Sequence, residues 1–209
     1  MKRVREGFAY AAAAVLLLVL GAAIRPLFTD DPAPPEILSA AELGFVQDMA
    51  THHHQALIMV QRLDPGVTPA VRQLAQQIDD TQRSEIGTLL GWLRLAGASP
   101  ANPDPMGWMP ERSHGGHAAH DPQSATMPGM ATREQLDALS AARGNDAAVL
   151  FLTLMDSHHQ GGIAMARVAD AMLTGGVVKQ VAREMISAQT QESGLMALLL
   201  AQLEAAQPG

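Results

Sequence analysis

Apolar residues recur along most of this chain at helical spacing, and nowhere do they alternate as in a half-buried strand. Val71, Leu74, Ile78, Ile86, Leu89 and Leu93 fall on one stripe, which predicts a helix from Pro69 to about Leu95, ended by Gly97. Upstream, Ser39-Ala40-Ala41-Glu42 is a capping box, in which Ser and Glu each satisfy a free backbone N–H at the other's position. It opens a helix that runs to about Arg62, and Asp64-Pro65-Gly66 turns the chain into Thr68-Pro69, an N-cap followed by Pro at N1. A second capping box, Thr132-Arg133-Glu134-Gln135, opens a short helix that stops before Gly144. Asn145 or Asp146 caps the next helix, which ends before Gly175-Gly176, and a last helix runs from Val177 to about Glu204. Between Gly97 and Ala131 the periodicity disappears in favour of Pro, Gly, Met and His; a connection this long is either disordered or functional.

The N-terminus has its own pattern. Lys2, Arg3 and Arg5 precede an uncharged, mostly apolar run from Gly7 to Ile24, closed by Arg25-Pro26. The run is expected to be a transmembrane helix, and its basic flank predicts a cytoplasmic N-terminus with an exported body. A cleaved signal is the competing reading, with Gly21-Ala22-Ala23 as the cleavage site. The first reading places a membrane-anchored body outside the cytoplasm, at the cell surface or in the periplasm; the second secretes it. The expected organisation is therefore an anchor or signal over 1–25, a Pro-rich spacer over 26–38, a first helix pair over 39–96, a linker over 97–131, and a short helix plus second helix pair over 132–205.

The two helix pairs repeat each other. At an offset of 106 positions, Phe45, Met49, His52, His53 and Met59 fall on Phe151, Met155, His158, His159 and Met165. At an offset of 107, Ala75, Ile78, Gln82 and Glu85 fall on Ala182, Met185, Gln189 and Glu192. A pair of helices cannot bury its apolar stripe alone, whereas two pairs about a pseudo-two-fold axis make an all-α four-helix bundle. The repeated polar residues sit on the apolar stripes, so four imidazoles, two carboxylates and two amides are expected in one central layer, where each requires a partner. Adjacent histidines project ~100° apart. One of each pair should thus face the centre, while the other meets Glu85 or Glu192 at the helix seam.

This layer is the candidate site. Imidazole and thioether without thiolate, in an exported chain, point to a copper ion held by His52, His53, Met49, Met59, His158, His159, Met155 and Met165. Gln82, Glu85, Gln189 and Glu192 would orient the ligating rings. The competing reading is a hydrogen-bonded His/Glu/Gln core that only fixes the packing. In the linker, His114, His117 and His120, flanked by Met106, Met109, Met127 and Met130, form a second candidate metal tract. Asp48 and Asp156 have no counterparts in the repeat and are expected to be solvated.

Composition narrows the classes. There are no cysteines among 209 residues, which removes disulfides and thiolate sites. The formal charge of −7 argues against nucleic acid as a partner and favours cations. No nucleophile, phosphate loop or acid/base constellation is visible beyond the His pairs, so an enzyme is not expected; an oxidase using a bound metal is the minor alternative.

Met49, His52, His53, Met59 with Ala75, Ile78, Gln82, Glu85, and their second copy Met155, His158, His159, Met165 with Ala182, Met185, Gln189, Glu192, resemble the domain of unknown function 305 family. The resemblance covers about Ser39 to Leu95 and Thr132 to Leu203. It implies a ferritin-like helical fold in a bacterial, exported or membrane-anchored protein, some members of the family binding copper or silver ions. The chain departs from the family pattern at Met185, where Ile is usual, at His54, which makes a triple His, and at Ala148, where Asp is frequent. The expected function is extracytoplasmic copper sequestration or delivery through the His/Met core. Expected partners are the metal ion, the membrane, and a second copy or a metal-accepting protein. The alternative is a membrane-tethered helical interaction module with a metal-free polar core.

Overall fold

A computed structural model describes residues 2–24, 36–110 and 127–206, with side chains in the first stretch described from Ala13 onward. The described residues form six α-helices: α1 (Lys2–Ile24), α2 (Ala40–Arg62), α3 (Pro69–Leu95), α4 (Arg133–Ala141), α5 (Gly144–Met172) and α6 (Gly176–Ala205). The chain divides into two compact units, Met1–Glu36 and Ile37–Gly209. The first contains α1. Among the described residues no helix is long and apolar enough to cross a membrane. The expectation of a four-helix bundle preceded by a transmembrane helix is corrected accordingly to an all-α arrangement of six helices among the described residues, and the membrane as a partner and the anchored localisation are withdrawn with it.

In the second unit, both capping boxes form as the sequence dictates. The Ser39 side chain accepts from the Glu42 backbone N–H and the Glu42 carboxylate accepts from Ser39 N–H; Thr132 and Gln135 do the same for α4. Helix α3 starts with Pro at its first positions and ends in Ala96, followed by Gly97 at φ 63°. The helices pack as two hairpins, α2 with α3 and α5 with α6, joined mainly through α2 against α5.

Two apolar clusters sit on either side of the polar residues. One gathers Met59, Ile78, Phe151, Met155 and Met196. The other gathers Phe45, Met49, Leu89, Met165 and Met185. The N-terminal end of each His helix therefore shares a cluster with the C-terminal end of the other, so α2 and α5 run antiparallel and their His windows cross at mid-length. Removing these large side chains from water supplies the main drive for the hairpins to close, at ~25 cal/mol per Å² of apolar surface.

The segment between the hairpins is bound to them at both ends. Residues 98–110 lie against α2, where Met106 and Met109 enter the second cluster and Trp108 meets Phe45 edge-on at 5.4 Å. Residues 127–131 lie across α2 and α5. Gly129 there has φ 75°, and a side chain at that position would collide with the Ser157 carbonyl. A Cβ at Gly161 would likewise overlap the Pro128 carbonyl, so α5 admits this segment only because glycine stands there.

Candidate functional site

The polar layer forms where α2 and α5 cross. His52 and His158 meet face to face, with ring centroids 3.8 Å apart and planes inclined by 29°. Their sequence neighbours turn away toward the hairpin seams, as the 100° step of a helix requires. His53 Nε2 lies 2.7 Å from Glu85 on α3, and His159 Nε2 donates to Glu192 on α6, also at 2.7 Å. All four imidazoles are fully buried, and Gln82, Gln189 and Glu192 are almost wholly so. The two seam pairs differ in quality. His159–Glu192 is an aligned hydrogen bond with the Glu192 side chain 4% exposed. His53–Glu85 has the distance but not the alignment, and the Glu85 side chain is 18% exposed.

The central rings are satisfied by backbone. His52 Nε2 donates to the Pro128 carbonyl at 3.0 Å, and His158 Nε2 donates to the His52 carbonyl at 3.0 Å. Burial pushes His52 down to about 3, with His53 and His159 adding to the fall and the bond to Pro128 opposing it. His158 is held well below the usual imidazole range, first by burial and then by His52. Both rings are neutral at pH 7.

The copper expectation is corrected by this geometry. Among the described residues, no group of three or more His, Cys, Asp or Glu side chains is placed to hold a metal ion. Each of the four rings turns its Nε2 toward a carbonyl or a carboxylate of the chain itself. The methionines do not face the rings as a set: Met49 and Met165 fill one apolar cluster, Met59 and Met155 the other, with the layer between them. They are core, as a Met at helical spacing usually is. A metal ion as partner, and copper sequestration or delivery as function, are withdrawn on these grounds. His114, His117 and His120 lie outside the described residues. His54 is exposed, its Nδ1 2.7 Å from the Ala50 carbonyl.

Two residues that periodicity passed over organise the surroundings. Asp48, expected to be solvated, is fully buried and receives the Asn102 amide at 3.0 Å, the Met106 backbone N–H at 2.7 Å and Trp108 Nε1 at 2.9 Å. Burial raises its carboxyl pKa while these three donors oppose the rise. Gln55 pairs with the backbone of Ala131, accepting its N–H at 2.6 Å and donating to its carbonyl at 2.9 Å. The available signal was the presence of Met106, Trp108 and Met109 in an otherwise polar tract, since such side chains seek a surface to dock on. Asp156, by contrast, is only half-buried.

Comparison with known proteins places this arrangement. The family described as "Domain of unknown function (DUF305)" matches residues 42–200. The chain is similar to the crystal structure of a DUF305 protein from Streptomyces coelicolor, described as a presumed secreted protein, at 36% identity and TM-score 0.68, covering 81% of this chain and 95% of that one. It is also similar to the crystal structure of a DUF305 fragment from Deinococcus radiodurans, at 29% identity and TM-score 0.64, covering 81% of this chain and 99% of that one. No curated protein matches.

Proposed function

The chain belongs to the DUF305 family, and on that premise we propose that it is an extracytoplasmic helical interaction module whose His/Glu/Gln layer is structural. The layer fixes how the two hairpins pack, leaving the outer helix faces as the surface that meets partners. The observation that carries this reading is that His52, His158 and His159 each donate Nε2–H to an acceptor within the chain at 2.7 to 3.0 Å, while His53 Nε2 lies 2.7 Å from the Glu85 carboxylate. Such a network specifies one packing register, since any slip between α2 and α5 would strand several buried polar groups at once. The basic flank and apolar run at the N-terminus, together with the description of the Streptomyces relative as secreted, support a place outside the cytoplasm. Apolar residues on the outer faces, among them Leu195 and Leu198 on α6, support an interaction role. The reading assigns no catalytic step to the layer.

Thermal unfolding of the purified chain with and without added copper or zinc tests the proposal. The melting temperature is expected to stay unchanged. A rise that grows with metal concentration would show a ligand bound by the folded state and overturn the structural role.

A further inference from the structure

The hydrogen positions in the central layer follow from its acceptors. A backbone carbonyl only accepts, so Nε2 of His52, facing the Pro128 carbonyl, and Nε2 of His158, facing the His52 carbonyl, must each carry the hydrogen. In a neutral ring the other nitrogen is then a bare lone pair. Nδ1 of both rings is buried, and among the described residues no donor reaches either one. On the partner helices α3 and α6, Gln82 and Gln189 are buried with both the carbonyl oxygen and the NH₂ of each amide unpartnered. Gln189 lies over Gly162, where an added Cβ would come within 2.5 Å of its Oε1; that position is one helical turn along α5 from His158. The layer thus holds acceptors lacking donors and amides lacking partners of either kind.

Leaving such groups buried and unpaired is costly, and native proteins rarely do so. Only a small guest that both donates and accepts satisfies the two central Nδ1 atoms together with both amides. A cation would serve the lone pairs but not the amide NH₂ groups. We propose that the layer is an internal water site, in which ordered waters link Nδ1 of His52 and His158 to the carboxamides of Gln82 and Gln189. These waters complete the network and hold both central rings in the Nε2–H tautomer. The proposal rests on the structural reading of the layer given above.

The test is a crystal structure of the full chain, purified in the presence of a chelator, at a resolution that shows water, paired with long-range ¹H–¹⁵N correlation of the histidine rings. Density peaks should stand at hydrogen-bonding distance between the two Nδ1 atoms and the amides, and both Nδ1 atoms should give pyridine-type resonances. Gln189→Leu should lose the peak beside His158. Protonated Nδ1, amides bonded directly to the rings with no solvent peak, or an anomalous scatterer in the layer would each overturn the proposal. Failure of the two readings is distinguishable. A metal-dependent melting temperature sinks the structural reading, whereas direct ring–amide bonds with an unchanged melting temperature sink the water site alone.

Discussion

The first and second hairpins carry the same motif but finish it differently. In the second, His159 and Glu192 form an aligned pair that is almost wholly buried; in the first, the matching His53 and Glu85 stand equally close but out of line, beside a carboxylate partly open to solvent. The central rings diverge too, for His158 uses a carbonyl of the opposing helix while His52 uses one from the connecting segment. The difference teaches that the repeat supplies the residues, whereas the single-copy segment between the hairpins decides which acceptor His52 takes. The Pro128 carbonyl is bound by His52 and not by His158, and symmetry ends there.

The largest effect should come from acid, because it strikes the one element both hairpins share. His52 and His158 have folded-state pKa values below the ordinary 6.5, so the unfolded chain binds more protons than the folded one once the pH falls below that value. Their contribution is fully present above pH 6.5 and is lost progressively as pH falls toward about 3 for His52. Each ring should then cost about 1.4 kcal/mol per pH unit. Urea unfolding at pH 7, 6 and 5 checks the slope, and His158→Asn should roughly halve it. A slope unaffected by the substitution would mean that the two rings do not titrate as equals.

Next in size is the seam pair. Glu192→Ala leaves His159 buried without its partner and should cost about 3 kcal/mol, while Glu85→Ala should cost about 1 kcal/mol, since water already reaches that carboxylate. Equal losses in urea unfolding would erase the distinction between the hairpins. Asp48→Ala removes the acceptor of three donors, and should cost about 2 kcal/mol. In a Trp92→Phe background it should also shift Trp108 fluorescence to the red, a change that a purely local loss of packing would not require. Of like size are the two contacts that hold residues 127–131. Gly161→Ala should cost about 2 kcal/mol through overlap with the Pro128 carbonyl, and Gln55→Ala about 1 kcal/mol through lost hydrogen bonds. Faster amide exchange at Ala131, whose N–H loses its acceptor or its seat, reads out both.

Much of this was legible in the sequence. The capping boxes, the antiparallel hairpins and the single polar layer follow from periodicity, since His52, His53, Gln82 and Glu85 and their copies sit on stripes that must face inward. The division of each His pair into a central and a seam ring follows from the helical step. What the pattern did not reveal lies in contacts with an aperiodic segment. Asp48 looks like a solvated acid until Asn102 and Trp108 are known to fold back on it, and Gln55 looks like an exposed amide until Ala131 arrives. The methionines misled for a related reason. Their spacing along one helix is the same whether they face the histidines or the apolar clusters above and below, and only the antiparallel crossing of α2 and α5 separates the two cases.

Gln55 and Gly161 occupy the same place in the repeat, 106 positions apart, yet one reaches for the connecting segment with a side chain and the other makes room by having none. That complementarity gives the pairing of the hairpins a direction. A first hairpin meeting its own copy would lack the carbonyl that His52 needs, and a second meeting its own copy would have no Gln55 to hold Ala131. Made as two separate chains, the halves would therefore select each other over themselves, and the module would behave as an obligate heterodimer whose two subunits happen to be joined by one chain.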